Sequence, residues 1–334
     1  MSDNFTESKD KILHRRQLLQ LGFSGAFMIT TGTIWQMLNS KNYASVKIPP
    51  MKITASNGAT NPMQVLRDFD YGTIKQENGR TVREFRLIAG TSTIQLNSAV
   101  SYNIWDLNGR IPGPTLRAKE GEKIRILFLN NAGHSHSLHF HGVHPAEMDG
   151  IKPIGNRKAT IYEFDAEPYG VHLYHCHVAP VTRHVAKGLY GMFIIDPPKP
   201  RPPADEIVLI MSGYDVNDDN RNEYYAFNGV PHHYMHHPIQ IYQNQLIRAY
   251  VLNIIEFDPA VTFHLHANFF DVYPAGMTMT PSVKTDVLTM GVAERHILEF
   301  AFKYPGKYMF HPHQDAIAES GCMGQFAVIS EKDS

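Results

Sequence analysis

From residue 65 onward, apolar positions come in short runs that alternate with polar ones or stay together for a few residues. TVREFRLIAGTSTIQL, KIRILFLN, TIYEFDAE and GMFIID are runs of this kind, separated by Gly, Pro, Asn or Asp. A period of two marks a strand with one buried face, and a short unbroken apolar run bounded by turn residues marks a strand buried on both. No long stretch carries the period of an amphipathic helix. The pattern then occurs a second time. GEKIRILFLNNAGHSHSLHFHGV matches NQLIRAYVLNIIEFDPAVTFHLHANFF, IYEFDAEPYGVHLYHCH matches ILEFAFKYPGKYMFHPH, and GLYGMFII matches GCMGQFAVI. The chain therefore reads as all-β, with two copies of one domain over residues 61–199 and 200–334. The proline-dense DPPKPRPPADE, residues 196–206, forms a stiff, extended linker between them. The strand density of each copy predicts a Greek-key β-sandwich or barrel.

A length of 334 residues suits two domains of ordinary size. The formal net charge of -1 gives no electrostatic case for nucleic acid or for an acidic membrane surface. Two cysteines allow at most one disulfide, so no disulfide framework is expected. Residues 1–60 stand apart. HRRQLLQLGFSGAFMITTG places Arg15 and Arg16 before a weakly apolar run, as in a twin-arginine export signal. Gln, Ser, Thr and Gly within the run make it poor as a permanent membrane span. Export of the folded protein to the periplasm or another extracytoplasmic space is the expectation.

Histidine changes the picture most. Among 19 histidines, five His-x-His pairs occur, at 134/136, 139/141, 175/177, 264/266 and 311/313. Random placement at this frequency gives about one such pair. Four of the five fall at matching places in the two repeats. Side chains at i and i+2 of a strand share a face, so each pair presents two imidazoles side by side, and imidazole suits Zn, Cu, Fe and Ni. Cys176 sits between His175 and His177 and so faces the other way. Two further histidines can supply its partners: His136, three residues before the 139/141 pair, and His184, eight residues after Cys176. Two histidines and one thiolate with a weak axial position mark a blue copper centre. Leu189 falls in the axial slot, where the absence of a sulfur donor predicts a high reduction potential. The second repeat has Val261 where His136 stands and Pro312 where Cys176 stands, so its blue-copper set is lost. Cys322 matches Leu189 and is expected to be a packed thiol, with a Cys176–Cys322 disulfide as the competing arrangement.

HSLHFHG, HCHVAPVTRHVAKGLYG and WDLNGRIPGPTLRAKEGEKIRI resemble the copper motifs and first-domain signature of multicopper oxidases. The likeness covers both repeats and is nearest to two-domain, laccase-like members built from cupredoxin domains. It implies a type 1 copper at His136, Cys176 and His184, a type 2 copper at His139 and His264, and a type 3 pair at His141, His175, His177, His266, His311 and His313. That makes four copper ions per chain: one type 1, one type 2 and two type 3. It also implies a homotrimer in which half-sites from neighbouring subunits meet. The implied reaction takes single electrons from a donor, through Cys176 and its neighbours His175 and His177, and reduces dioxygen to water. Asp149, in AEMDG shortly after His141, is the expected proton relay or partner of a copper ligand, with Asp315 and Glu319 as weaker candidates. A turn aspartate before Gly150 is the plain alternative.

A copper-containing nitrite reductase, converting nitrite to nitric oxide, is the alternative function. That family has an aspartate where His139 stands and lacks the histidine matching His177. A plain electron carrier would need only the type 1 ligands. The donor stays open between a phenolic compound, a metal ion and a small redox protein. PHHYMHHP, residues 231–238, reads as an exposed loop, with metal or partner binding as the other possibility.

Overall fold

The computed structural model describes residues 60–330, and the predicted export segment lies outside that range. Among the described residues, twenty-one strands form four sheets. In the first half, one sheet runs in the order Phe69–Asp70, Thr115–Lys119, Tyr190–Asp196, Gly170–His175 and His139–Phe140. The other runs Thr73–Glu77, Arg80–Gln95, Lys123–Asn130 and Lys158–Asp165, with Ser101–Leu107 paired to the long strand Arg80–Gln95. In the second half, a six-stranded sheet runs Tyr224–Phe227, Asp205–Tyr214, Ile247–Asn253, Arg295–Phe300, Phe270–Pro274 and Val283–Thr285. It faces a sheet of Ile239–Tyr242, Gly324–Ile329, Gly306–His311, Ala260–Leu265 and Val287–Gly291. These are two cupredoxin-like β-sandwich domains.

Side-chain alternation explains the layering. Along Lys123–Asn130, Ile124, Ile126 and Phe128 enter the first-domain core, while Arg125 points outward to Glu77 at 2.7 Å, to Glu84 at 2.8 Å and to Glu163. The continuously apolar runs behave differently. In Gly170–His175, Tyr174 packs into the first-domain core, whereas Val171 and Leu173 face the opposite way. In Asp205–Tyr214, Ile207, Leu209 and Met211 join the second-domain core, while Val208 and Ile210 join Val171 and Leu173. The two inner sheets therefore share a third apolar core between the domains, which is why their strands carry no polar face.

The proline linker is held at this junction. Arg117 makes a forked contact with Asp196 at 2.9 Å and reaches Glu206 at 2.6 Å. Arg248 contacts Glu206 at 3.3 Å and Glu299 at 2.6 Å. Glu206 thus takes arginines from both domains, while Asp196 is held by Arg117. Burial of Arg117 opposes its charge, and hydrogen bonds to Asp196 and Glu206 more than compensate, holding it ionised.

Candidate metal centres

Strand ends carry the site. His139 and His175 lie directly opposite each other on antiparallel strands, and so do His264 and His311 in the second domain. His141 and His177 follow these strands. In the first domain the ring of His141 lies 4.8 Å from His139 and 5.0 Å from His175, and His177 stacks on His139 at 4.9 Å. In the second domain the ring of His266 lies 5.0 Å from His264 and 5.1 Å from His311, and His313 lies 5.1 Å from His264. The two sets are near copies. Nε2 of His141 faces Nε2 of His175 at 2.9 Å, and Nε2 of His266 faces Nε2 of His311 at 2.9 Å.

For His175 and His311 the opposite ring nitrogen is already occupied, as it is for His264, His177 and His139. Nδ1 of His175 lies 2.8 Å from the Cys176 carbonyl, that of His311 2.7 Å from the Pro312 carbonyl and that of His264 2.8 Å from the Asp286 carbonyl. Nδ1 of His177 lies 3.2 Å from the Asp149 carbonyl, and Nδ1 of His139 lies 2.9 Å from Asp149 Oδ1. An Nδ1–H that donates to oxygen leaves Nε2 with its lone pair, which is how metal-binding histidines are oriented. Burial, with His175 nearby, pushes His141 down to about 3, and burial pushes His175 down to about 4. Both imidazoles are neutral ligands at ordinary pH.

Behind His175, the chain turns and Cys176 faces the first-domain core. Its Sγ lies 3.1 Å from His184 Nδ1 and 3.7 Å from His136 Nδ1, and the two nitrogens are 3.1 Å apart. All three residues are buried. The triangle has the size spanned by a trigonal centre with metal–nitrogen and metal–sulfur bonds of roughly 2.0–2.3 Å. Burial, with His184 adjacent, pushes His136 down to about 3, and burial raises the Cys176 thiol. A metal cation in the triangle is the natural compensation for a thiolate placed there. His136 is positioned by a backbone bridge to Ile154, and His184 by the short helix Val181–Ala186. Leu189 is buried beside them, as the axial assignment requires, and both cysteines are free. The donor sets thus fit copper: two nitrogens with one thiolate, and imidazole clusters without thiolate.

Asp149 is where the sequence put it in one respect, beside a cluster histidine. Gly150 explains the approach. It sits at φ +77, and a Cβ there would lie 2.3 Å from the Leu138 carbonyl, so the turn tucks Asp149 against His139. The structure adds a residue that the pair pattern missed. His144 Nε2 lies 3.1 Å from His139 Nδ1 and 3.4 Å from Asp149 Oδ1. It follows His141 by three residues and belongs to no His-x-His pair, so only its closeness in sequence to the motif could have flagged it. Trp105 is a second addition, with its ring 5.0 Å from His136 and 4.7 Å from His184. His134 lies outside the triangle, 5.4 Å from the same indole. Asp315 and Glu319 open and close a short helix after His313.

Comparison with known proteins agrees with the geometry. Multicopper oxidase family models match residues 89–200 and 200–332. A solved structure described as a multicopper oxidase is 44% identical, with a TM-score of 0.80, and the match covers 84% of this chain and all of that one. A copper nitrite reductase structure from Nitrosomonas europaea is 25% identical with a TM-score of 0.69, covering 74% of this chain and 94% of that one. The copper-containing nitrite reductase of Neisseria gonorrhoeae is 26% identical over 265 residues, which are 71% of this chain. The chain spans 66% of the length of that curated relative. With two β-sandwich domains, a His–Cys–His triangle in the first and matched imidazole sets in both, the chain belongs to the multicopper oxidase family, as a two-domain member with its type 1 copper site in the first domain.

Proposed function

We propose that the protein oxidises a small donor one electron at a time and reduces dioxygen to water. The observation that carries this reading is the completeness of the imidazole sets. His139 and His177 are both present and stacked at 4.9 Å, so the first domain offers four histidines to match the four of the second. When bound, type 1 copper supplies one-electron acceptance and the trinuclear copper set supplies four-electron reduction of dioxygen. His136, Cys176 and His184 would hold the first. His139 with His264, and His141, His175, His177, His266, His311 and His313, would hold the second. Cys176 is bonded through the main chain to both His175 and His177, so covalent bonds alone link the two ligand sets. Asp149 Oδ1, 2.9 Å from His139 Nδ1, fixes that ring and can hold a proton beside the cluster.

Among the described residues no ring contact joins the first-domain set to the second-domain set of the same chain. Each is half of a site. A homotrimer in which the first domain of one subunit meets the second domain of the next completes it, since cyclic assemblies use such heterologous interfaces. Full copper loading and activity in a monomer isolated by sedimentation would overturn this. Export by the twin-arginine-like segment, to the periplasm or beyond the cytoplasmic membrane, completes the reading. Cell fractionation after exchange of Arg15 and Arg16 for lysine checks it, with retention in the cytoplasm expected.

The similarity to copper nitrite reductases over 265 residues favours a second reading, nitrite reduction to nitric oxide. The deciding experiment supplies a reduced donor to the copper-loaded protein and follows oxygen and nitrite in parallel. Oxygen consumption with a full trinuclear complement supports the first reading. Nitrite consumption with no oxygen uptake and a single copper at the shared site replaces it with the second. A panel of phenols, metal ions and small redox proteins identifies the donor.

A further inference from the structure

The stretch 231–238 takes no part in the centres described above. It is not the open loop that its composition suggested. His233–His236 form a tight helical turn with His232 and His237 at its two ends. Tyr234 anchors the turn: it is buried, its hydroxyl donates to the Pro62 carbonyl at 2.7 Å and accepts from Asn228 Nδ2 at 2.8 Å. The His232 amide donates to the Gly321 carbonyl at 2.8 Å, with His232 itself in the left-handed region at φ 55.

With Tyr234 turned inward, helical spacing gathers the four histidines on one outward face, because residues three and four apart are neighbours. The rings of His233 and His237 lie 4.8 Å apart with their planes 37° from parallel, and those of His232 and His236 lie 6.5 Å apart. His236 and His237 are exposed. The Nε2 of His233 is buried and has no hydrogen-bond partner among the described residues. Burial, then His237 and His236, push His233 down to about 4, so this ring offers a lone pair at neutral pH.

We propose that His233 and His237, flanked by His232 and His236, form a surface site for a divalent transition-metal ion, Cu(II) foremost, separate from the ligand sets at the strand ends. An all-imidazole set selects copper, nickel and zinc over magnesium and calcium, and among the first-row divalent ions Cu(II) binds such ligands most tightly. The anchoring through Tyr234 means that little backbone order remains to be gained on binding, which favours affinity. The site gives a reason for the closeness of the His233 and His237 rings on a turn fixed by Tyr234.

The test uses the copper-replete protein, dialysed against Cu(II) and then examined for metal content and by electron paramagnetic resonance. One ion per chain beyond the resident set is expected, with nitrogen hyperfine structure and no thiolate absorption. His233→Ala combined with His237→Ala should weaken that uptake by about tenfold or more while leaving the blue absorption intact. His237 is exposed, so His237→Ala alone tests the site without disturbing packing and should weaken uptake in the same direction. Absence of an additional ion in the parent, or equal uptake by the parent and His237→Ala, overturns the proposal.

Discussion

In the first domain the histidine cluster backs onto a cysteine; in the second it backs onto a proline. The front faces are nearly superimposable, since corresponding ring separations agree to within a few tenths of an ångström. The backs have diverged completely. Leu189 donates its amide to the His184 carbonyl at 3.3 Å, and Cys322 donates to the Ile317 carbonyl at the same 3.3 Å. This equivalence places Ile317 where His184 stands. Val261, Pro312 and Ile317 therefore occupy the positions of the three copper ligands, with Cys322 in the axial place. All four are buried. Val261, Ile317 and Cys322 belong to the second-domain core. One scaffold has kept a polar front on both copies while filling one back with hydrocarbon. A strand separates the two choices, because neighbouring side chains face opposite sides.

The largest expected effect breaks the first back. Cys176→Ser should abolish the blue absorption and reduce donor oxidation to below about one-hundredth of the parent rate. Cys322→Ser, at the matching layer of the second domain, should keep both and lose only stability, by about 1–3 kcal/mol for a buried hydroxyl without a partner. Stopped-flow kinetics and thermal unfolding separate the two. Loss of colour in Cys322→Ser would show that the second back still serves the copper.

Next in size is Asp149→Asn, which retains the shape of the His139 contact but removes the carboxylate. Oxygen reduction should slow about 10–100-fold, while reduction of the type 1 site by the donor stays at the parent rate. Equal rates for both steps as in the parent would remove Asp149 from the reaction.

Acid should also distinguish the halves in the copper-free protein. His136, His141 and His175 are pushed from 6.5 to about 3, 3 and 4, with burial as the leading cause each time. Burial also lowers His266 in the second domain. The unfolded chain binds protons on these rings before the folded one does. Their contribution is therefore present above pH 6.5 and is lost as pH falls through the interval down to about 3. Hydrogen exchange should show the first domain opening at higher pH than the second on acidification. Simultaneous opening would mean that the shared apolar core couples them more strongly than the charges separate them. The smallest effect is Leu189→Met, which supplies an axial sulfur. It should lower the type 1 reduction potential in a redox titration and leave the copper content unchanged.

Much of this contrast was legible in the chain. Repeated apolar runs gave the two all-β domains, and the i, i+2 spacing of His139/His141, His175/His177, His264/His266 and His311/His313 gave the clustered rings, because a strand converts spacing directly into facing. Cys176 was legible for the same reason. What was missed depended on loops. His144 reaches His139 only through the turn ended by Gly150, and spacing does not encode where a turn returns. Ile317 was hidden because the segment between the last cluster histidine and the final strand is shorter in the second repeat. The helical turn at His233–His236 was hidden because Tyr234 is its one buried side chain, too few to mark a period.

Arg117 holding both Asp196 and Glu206, with Arg248 on Glu206 from the other domain, makes the proline connection an elbow set at one angle rather than a tether. The angle between a chain's two half-clusters is then fixed before any copy meets another. In the assembly proposed here, such a preset angle determines how many copies come round to the first one, so the ring size is an outcome of local ion pairing far from the copper. Softening the elbow would trade a closed ring for open chains of subunits, with every internal cluster still complete and only the ends left unfilled.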